Sequence, residues 1–167
     1  MHRDALRVAV TSGLVRTMCR AGRRAEAARK SASRPPARHD LDMAVIAQVF
    51  ALIAAVAHIA AFVLESLLFQ RPSVQRFLLR NASDFAGVRI WAFNQGFYNL
   101  FVATGAVAGV ILWATGDETA GRALVIYTCA FMALAGVVLF ASDRTLWRGM
   151  IGQSGPPLVG LVAALAA

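Results

Sequence analysis

Two ionisable side chains stand out because they lie inside an apolar stretch. His58 and Glu65 are the histidine and the carboxylate of residues 44–68, which are otherwise rich in Ala, Val, Ile and Leu. Seven residues separate them, so on a helix they share one face and lie about 10.5 Å apart along the axis. Ionisable groups in such a segment point to a site. We therefore take Glu65 and His58 as a candidate catalytic acid/base pair.

A second polar group follows in residues 90–113, which are also long and apolar enough to cross a bilayer. Polar side chains that lack partners are unfavourable in hydrocarbon, so the Asn, Gln and Tyr side chains of this run should face protein or a wet cavity. The final apolar run contributes one more amide. The candidate ligand-binding residues are Asn94, Gln95, Tyr98, Asn99 and Gln153.

Composition identifies the elements that must position these groups. The chain has 167 residues, of which 58% are hydrophobic, and its mean hydropathy is +0.59. That is too apolar for an ordinary soluble domain and indicates a membrane protein. The net charge is +8, and it is concentrated in residues 1–42, where ten Lys or Arg oppose four acids.

The apolar pattern predicts an all-α fold, a four-helix transmembrane bundle within residues 43–167. Pro72 and Ser73 look like a helix start, and they predict a short amphipathic interfacial segment between the first two spans. Pro156 and Pro157 predict a break in the last span near Gly155. The expected spans are residues 44–68, 90–115, 121–141 and 149–167.

Residues 1–42 are basic and contain nothing that could build a core, so we expect a disordered extension. An arm for nucleic acid lacks aromatic residues for stacking, and a transit peptide is a further alternative. We favour a start of translation at Met43. That start also removes a conflict in topology, because a basic N-terminus would be drawn toward the cytoplasm.

Four spans place two connections on one side of the membrane, residues 69–89 and 142–148, and the acidic turn 116–120 on the other. The positive-inside rule puts the first side in the cytoplasm and both ends of residues 43–167 outside. By depth, the candidate site residues all fall in the leaflet on the Arg-rich side. We therefore predict a polar pocket opening toward that side, in a protein of the inner (plasma) membrane. The arginines on that side are Arg71, Arg76, Arg80, Arg89, Arg144 and Arg148.

Three functions remain open at this point. The favoured one is binding or transformation of a small lipophilic molecule in the pocket. The second is a small proton-coupled transporter that uses Glu65, and the third is a ligand-free membrane scaffold or assembly subunit. A homodimer is compatible with each. The sequence predicts no cofactor, no metal site and no nucleic-acid partner, and it leaves open whether the protein is an enzyme.

One family shares this combination of residues. The most specific part is Asn94-Gln95-Gly96-x-Tyr98-Asn99, and the combined set resembles the domain of unknown function 1304 family of small bacterial membrane proteins. The resemblance covers about Met43 to Ala167 and implies a four-span fold without an assigned activity. Members begin just before the first span, which again favours Met43. The other matching residues are His58, Glu65, Phe69, Pro72, Phe77, Gln153, Gly155 and Pro156.

Overall fold

The computed structural model describes residues 20, 22–23, 38–78 and 85–167. The chain divides into two compact units, Met1–Ala37 and Arg38–Ala167. In the first unit the three described residues are helical and exposed. The predicted disordered extension therefore lies, up to residue 37, almost wholly outside the described residues and stays a prediction. Residues 38–42 are helical and belong to the first long helix.

The second unit is built from helices, and its described residues contain no strand, which confirms the predicted fold class. Four helices of 30, 29, 25 and 23 residues are long and apolar enough to cross a membrane. The first includes a π-helical turn and the last a short 3₁₀ turn. In chain order the elements are α1 (Arg38–Phe62), the π-turn (Val63–Leu67), α2 (Pro72–Leu78), α3 (Phe85–Ala114), α4 (Glu118–Ser142), the 3₁₀ turn (Arg144–Leu146) and α5 (Trp147–Ala166).

The four long helices form a closed ring in the order α1, α3, α4, α5, and each packs mainly against its two neighbours in that ring. Small residues make the packing close. Ala47, Ala51, Ala54 and Ala55 give α1 a buried alanine stripe. Within a membrane the hydrophobic effect does not drive helices together, so close contact between small residues supplies much of the association.

Glycines bring α3 and α4 together at Gly105-x-x-x-Gly109, a spacing that is typical of close helix packing in membranes. A Cβ added at Gly109 would lie 3.0 Å from the Val125 nitrogen and 3.2 Å from the Gly121 carbonyl oxygen. One added at Gly105 would lie 3.1 Å from Thr128 Cγ2. Both distances are shorter than comfortable van der Waals contact, so a larger residue would separate the two helices.

Two short connections join α3 to α4 and α4 to α5. Gly116 has a φ of 109°, and the Asp117 amide donates to the Leu112 carbonyl at 3.0 Å, which closes α3 in a Schellman arrangement. The Asp117 side chain then caps α4 by accepting from the Ala120 amide at 3.1 Å. At the other end, Asp143 caps the 3₁₀ turn by accepting from the Thr145 amide at 2.8 Å.

The predicted amphipathic segment is α2, which begins at Pro72 as expected. Val74 is buried, whereas Phe77 is exposed. An apolar ring on the outside of a short helix next to the spans suits the interfacial position that its sequence predicts.

The predicted break near Gly155 is wrong, because α5 continues through Pro156 and Pro157 to Ala166. Ser154, Pro157 and Gly160 are buried against neighbouring helices. Membrane helices tolerate internal proline where neighbours and small backbone adjustments accommodate the lost hydrogen bonds. Packing therefore outweighs the local preference for a break.

Candidate functional site

The π-turn at the end of α1 is the feature that builds the site. The Leu68 amide donates to the Val63 carbonyl at 2.9 Å, five residues back, in place of the four-residue step of an α-helix. Two consecutive side chains of this turn both bond to α3. Asn99 Nδ2 donates to Glu65 Oε2 at 2.8 Å, and Ser66 Oγ donates to the Phe93 carbonyl at 2.9 Å. Turns of this kind recur at functional sites.

Gly96 allows this close approach of the π-turn to α3. A Cβ at Gly96 would overlap Ser66 Oγ and lie 3.2 Å from both the Cβ and the nitrogen of Ser66. The serine hydroxyl therefore occupies the space that a side chain would take. The glycine, the serine and the Glu65–Asn99 bond together fix the height of α1 against α3.

Next to these bonds lies a cavity of about 490 Å³, between the π-turn, the start of the connection to α2 and the first turns of α3. Its size falls within the usual range of small-molecule sites, about 300–1,000 Å³. The side chains that line it are of two kinds, polar and apolar. The polar residues are Glu65, Ser66, Gln70 and Arg89, and the apolar ones are Leu67, Phe69, Ala86, Ile90 and Phe93.

A row of aromatic rings continues the apolar wall. Phe93 and Phe97 have ring centroids 5.0 Å apart, and Phe62 meets Phe97 edge-to-face at 5.1 Å. Phe101 extends the row, 6.1 Å from Phe97. Such contacts stabilise pairs of rings by about 0.5–1.5 kcal/mol beyond their burial.

His58 is not joined to Glu65 by a hydrogen bond. Its side chain is 4% exposed, and Nδ1 lies 2.9 Å from the Ala54 carbonyl of its own helix. A carbonyl oxygen can only accept, so Nδ1 donates in this bond. His58 also does not line the cavity. The predicted acid/base pair thus does not form a hydrogen bond.

The four predicted ligand-binding residues of α3 lie in two different environments. Asn99 is 8% exposed and faces α1, whereas Asn94 and Gln95 are exposed and Tyr98 is 55% exposed. The angle per residue explains the division, because at about 100° each the four positions spread over roughly 140° of the helix. Gln153 on α5 is half-buried. The described residues thus bring Glu65 and Asn99 together and leave the other predicted ligand-binding residues apart from them.

Ser66 and Arg89 line the cavity but are outside the predicted set of site residues, and Ser154 makes an equivalent contact on another helix pair. Arg89 lines the cavity, and a signal existed in its position one turn before Phe93 on a helix that faces the end of α1. Ser154 repeats the arrangement of Ser66 on another helix pair. Its Oγ donates to the Ala133 carbonyl at 2.9 Å and lies where a Cβ of Gly136 would be. In both pairs a serine stands opposite a glycine, which is a signal that can be read from the sequence only when the helix pairing is known.

Among the described residues, no group of three or more His, Cys, Asp or Glu side chains could hold a metal ion. The polar chemistry of the site is therefore that of one carboxyl group, one guanidinium group, amides and a hydroxyl group.

The comparison with known families agrees with this architecture. The family described as "Protein of unknown function (DUF1304)" matches residues 52–165, from the middle of α1 to the end of α5. The chain belongs to this family. The match contains every residue that lines the cavity, together with Gly96 and Asn99. No curated protein and no solved structure matches the chain. The DUF1304 chain is therefore a protein with four apolar candidate membrane spans whose family assigns no activity.

Proposed function

We propose that this DUF1304 protein binds a lipophilic small molecule in the cavity beside the π-turn, with the polar end of the molecule against Glu65. The supporting observation is the bond of 2.8 Å from Asn99 Nδ2 to Glu65 Oε2 at the edge of a cavity of about 490 Å³. The buried amide orients the carboxyl group, and the cavity gives a ligand access to it. Oriented polar groups in a mainly apolar cavity are typical of ligand sites.

Binding has better support than transformation. The acid/base pair that the sequence predicts would need both groups within hydrogen-bond reach of the reacting atoms. His58, the partner that the sequence suggests, bonds to Ala54 and does not line the cavity. The transporter alternative needs a route to the opposite side, where Trp113 and Val125 belong to a buried apolar cluster. The described residues give that alternative no supporting contact.

Mass spectrometry of what co-purifies with the detergent-extracted full chain tests the proposal. Glu65→Gln keeps the shape of the side chain and removes its charge, so we expect at least a tenfold loss of the bound molecule, since charged hydrogen bonds contribute about 1.5–3 kcal/mol. Glu118→Gln is the matched control, because Glu118 is an exposed acid in the first turn of α4. The same bound molecules in equal amounts from all three proteins would refute the proposal.

We further propose the plasma membrane as the location, with the cavity on the cytoplasmic side. The support is the distribution of charge, because the connections on that side carry arginines whereas the opposite turn carries Asp117 and Glu118. In a Cys19→Ser background, Thr119→Cys should react with an impermeant maleimide on intact cells, and Ser73→Cys only after permeabilisation. The reverse pattern contradicts this orientation.

One observation favours a homodimeric scaffold as a second candidate. Asn94 and Gln95 are exposed on a membrane-spanning helix, beside the exposed rings of Trp91 and Tyr98. Amides both donate and accept, so this face is complementary to itself in a two-fold dimer. Asn94→Leu with Gln95→Leu should abolish a cross-linked dimer. Thr104→Val, on an exposed site of the same helix whose hydroxyl bonds to the Leu100 carbonyl, should leave it intact.

A further inference from the structure

The cavity contains two opposite charges that the structure does not pair with each other. Glu65 and Arg89 both line it, and both belong to the described residues, yet no ion pair joins them. Asn99 holds the Glu65 carboxyl group from the α3 side. Two charges of opposite sign in one small cavity, each with room for a partner, match a ligand that carries both signs.

The two charged groups differ in what they can recognise. A guanidinium group is a planar fork of donors that pairs with the oxygens of a phosphate in a bidentate manner. A carboxylate accepts N–H bonds, and the structure gives Glu65 one such bond, from Asn99 at 2.8 Å. The remaining acceptor capacity of the carboxylate suits a primary ammonium group, which has three N–H donors.

The apolar part of the wall opens toward lipid. Ile90 on α3 and Leu67 in the π-turn both line the cavity, and they are 76% and 60% exposed. Exposed apolar side chains at the ends of membrane-spanning helices lie at the boundary between headgroups and acyl chains. A ligand can therefore place its polar head between Glu65 and Arg89 while its tail remains in the bilayer.

The position of the charges along the helices fits a headgroup as well. About 20 apolar residues cross the hydrocarbon, so a span that begins at Ala44 ends near Val63, just before Glu65. Counted the same way from Ala114, the hydrocarbon ends near Gln95, which leaves Arg89 beyond it. Both charges thus lie where lipid headgroups lie.

From these four observations we infer that the ligand is a zwitterionic amphiphile of the ethanolamine-phospholipid class, with its phosphate on Arg89 and its primary amine on Glu65. This inference rests on the proposed function and names the ligand class of the same cavity. It excludes two common headgroups as good ligands. A choline group has no N–H to give to Glu65, and a glycerol group has no cation.

The test uses the purified full chain in detergent, stripped of lipid and then offered equal mixtures of phosphatidylethanolamine, phosphatidylcholine and phosphatidylglycerol with matched acyl chains. Native mass spectrometry measures which lipid stays bound. We expect the ethanolamine lipid to be retained about tenfold over either competitor, since one charged hydrogen-bonded contact separates them. Equal retention of the three lipids would overturn the inference.

Variants assign the two contacts separately. Glu65→Gln should remove the preference over the choline lipid, and Arg89→Gln should weaken both zwitterionic lipids about tenfold. Arg89→Lys keeps the charge but loses the planar pair of N–H donors, so its retention of the two lipids should lie between those of wild type and Arg89→Gln. Arg76→Gln, an exposed site on α2, is the control and should behave as the wild type. A heat-unfolding curve for each variant identifies any that has lost its fold, and an unchanged preference in folded Glu65→Gln and Arg89→Gln overturns the assignment.

Two further arms complete the design. Water-soluble O-phosphoethanolamine has the same phosphate and amine as the lipid headgroup. If it displaces the lipid at a similar concentration, the protein recognises the headgroup without a tail. If it does not, the ligand is a lipid that comes from the bilayer. Loss of some other lipophilic molecule in Glu65→Gln, with no preference among the three lipids, refutes this inference and leaves the proposed function intact. Identical bound molecules in wild type and Glu65→Gln refute both.

Discussion

The two ends of the bundle are held together in different ways. At one end, which we call the closed end, the turn of residues 115–117 joins α3 to α4, and backbone packs directly against backbone. A Cβ at Gly121 would lie 2.6 Å from the Trp113 Cα and 2.7 Å from the Gly109 carbonyl oxygen. At the other end, which we call the cavity end, the π-turn meets α3 through the side chains of Glu65, Ser66 and Asn99.

The difference indicates that the closed end makes the bundle rigid and the cavity end binds the ligand. Direct backbone contact at the closed end leaves little room for movement, because packed interiors cannot absorb added volume. At the cavity end, a rare π-turn bonds to α3 through polar side chains, and a cavity remains beside that contact. Departures from regular structure gather at functional sites, where the surrounding fold supports them.

Gly121→Ala at the closed end should give the largest effect. The new methyl group would meet the Trp113 backbone and the Gly109 carbonyl oxygen, neither of which can rotate away. We expect α3 and α4 to separate and stability to fall by about 1–3 kcal/mol. The midpoint of heat unfolding in detergent, followed by circular dichroism, measures this loss.

The matched control for Gly121→Ala is Gly152→Ala on α5, where nothing lies within 4 Å of the added Cβ. Alanine favours helix over glycine by up to about 1 kcal/mol, so this change should leave the midpoint unchanged or raise it. Equal midpoints for Gly121→Ala and wild type would show that the closed end is not tightly packed, and the comparison of the two ends would fail.

Gly96→Ala at the cavity end should affect binding more than stability. The new methyl group meets the Ser66 hydroxyl, which can rotate, and the Cβ and nitrogen of Ser66 at 3.2 Å, which cannot. The π-turn should shift slightly at Ser66, and we expect the bond between Asn99 and Glu65 to weaken. Inter-helix hydrogen bonds in membranes contribute only about 0.6–2 kcal/mol, so the unfolding midpoint should fall less than for Gly121→Ala.

The bound ligand in Gly96→Ala should fall by about tenfold, as for loss of one charged contact. Gly155→Ala is the control for this substitution, because its added Cβ meets nothing within 4 Å. A variant that loses stability and keeps its ligand would reverse the roles that we assign to the two ends.

The fold could be predicted from the sequence because the length of an apolar run has a direct physical meaning in a bilayer. Counting residues from the helix ends also placed Glu65 and Asn99 in the same leaflet, and they are hydrogen-bonded. Depth was not sufficient for the rest of the site. Tyr98 is one residue from Asn99, but the turn of the helix directs it away from α1.

The π-turn could not be predicted, because it depends on contacts rather than on local preference. A wider turn is unfavourable for an isolated helix, and here it brings both Glu65 and Ser66 to α3. No spacing within residues 63–67 indicates that Glu65 and Ser66 contact α3. The sequence placed Arg89 in a connection, whereas the structure places it in α3. The helix begins at Phe85, five residues before the predicted start of the span.

The smallest expected effect concerns Arg122, which links α4 to the end of α5. Its Nε donates to the Ala164 carbonyl at 2.8 Å, and one terminal nitrogen donates to the Leu165 carbonyl at 3.4 Å. The last carbonyls of a helix lack partners within it, and a cation there also complements the helix dipole. Arg122→Gln should therefore lower stability by only about 0.3–1 kcal/mol, visible as a small drop in the unfolding midpoint.

The same variant tests whether the two ends act independently. Arg122 is at the closed end, and the cavity lies at the other end of the same bundle, so Arg122→Gln should retain wild-type amounts of ligand. Arg122→Lys keeps the charge near the helix end and should recover part of the midpoint. Stability changes at distant sites without shared partners usually add. The double variant Arg122→Gln with Gly96→Ala should therefore lose the sum of the stability losses of the two single variants. If ligand retention fell in Arg122→Gln as far as in Gly96→Ala, the ends would be coupled through the helices, and the closed end would be part of the binding device.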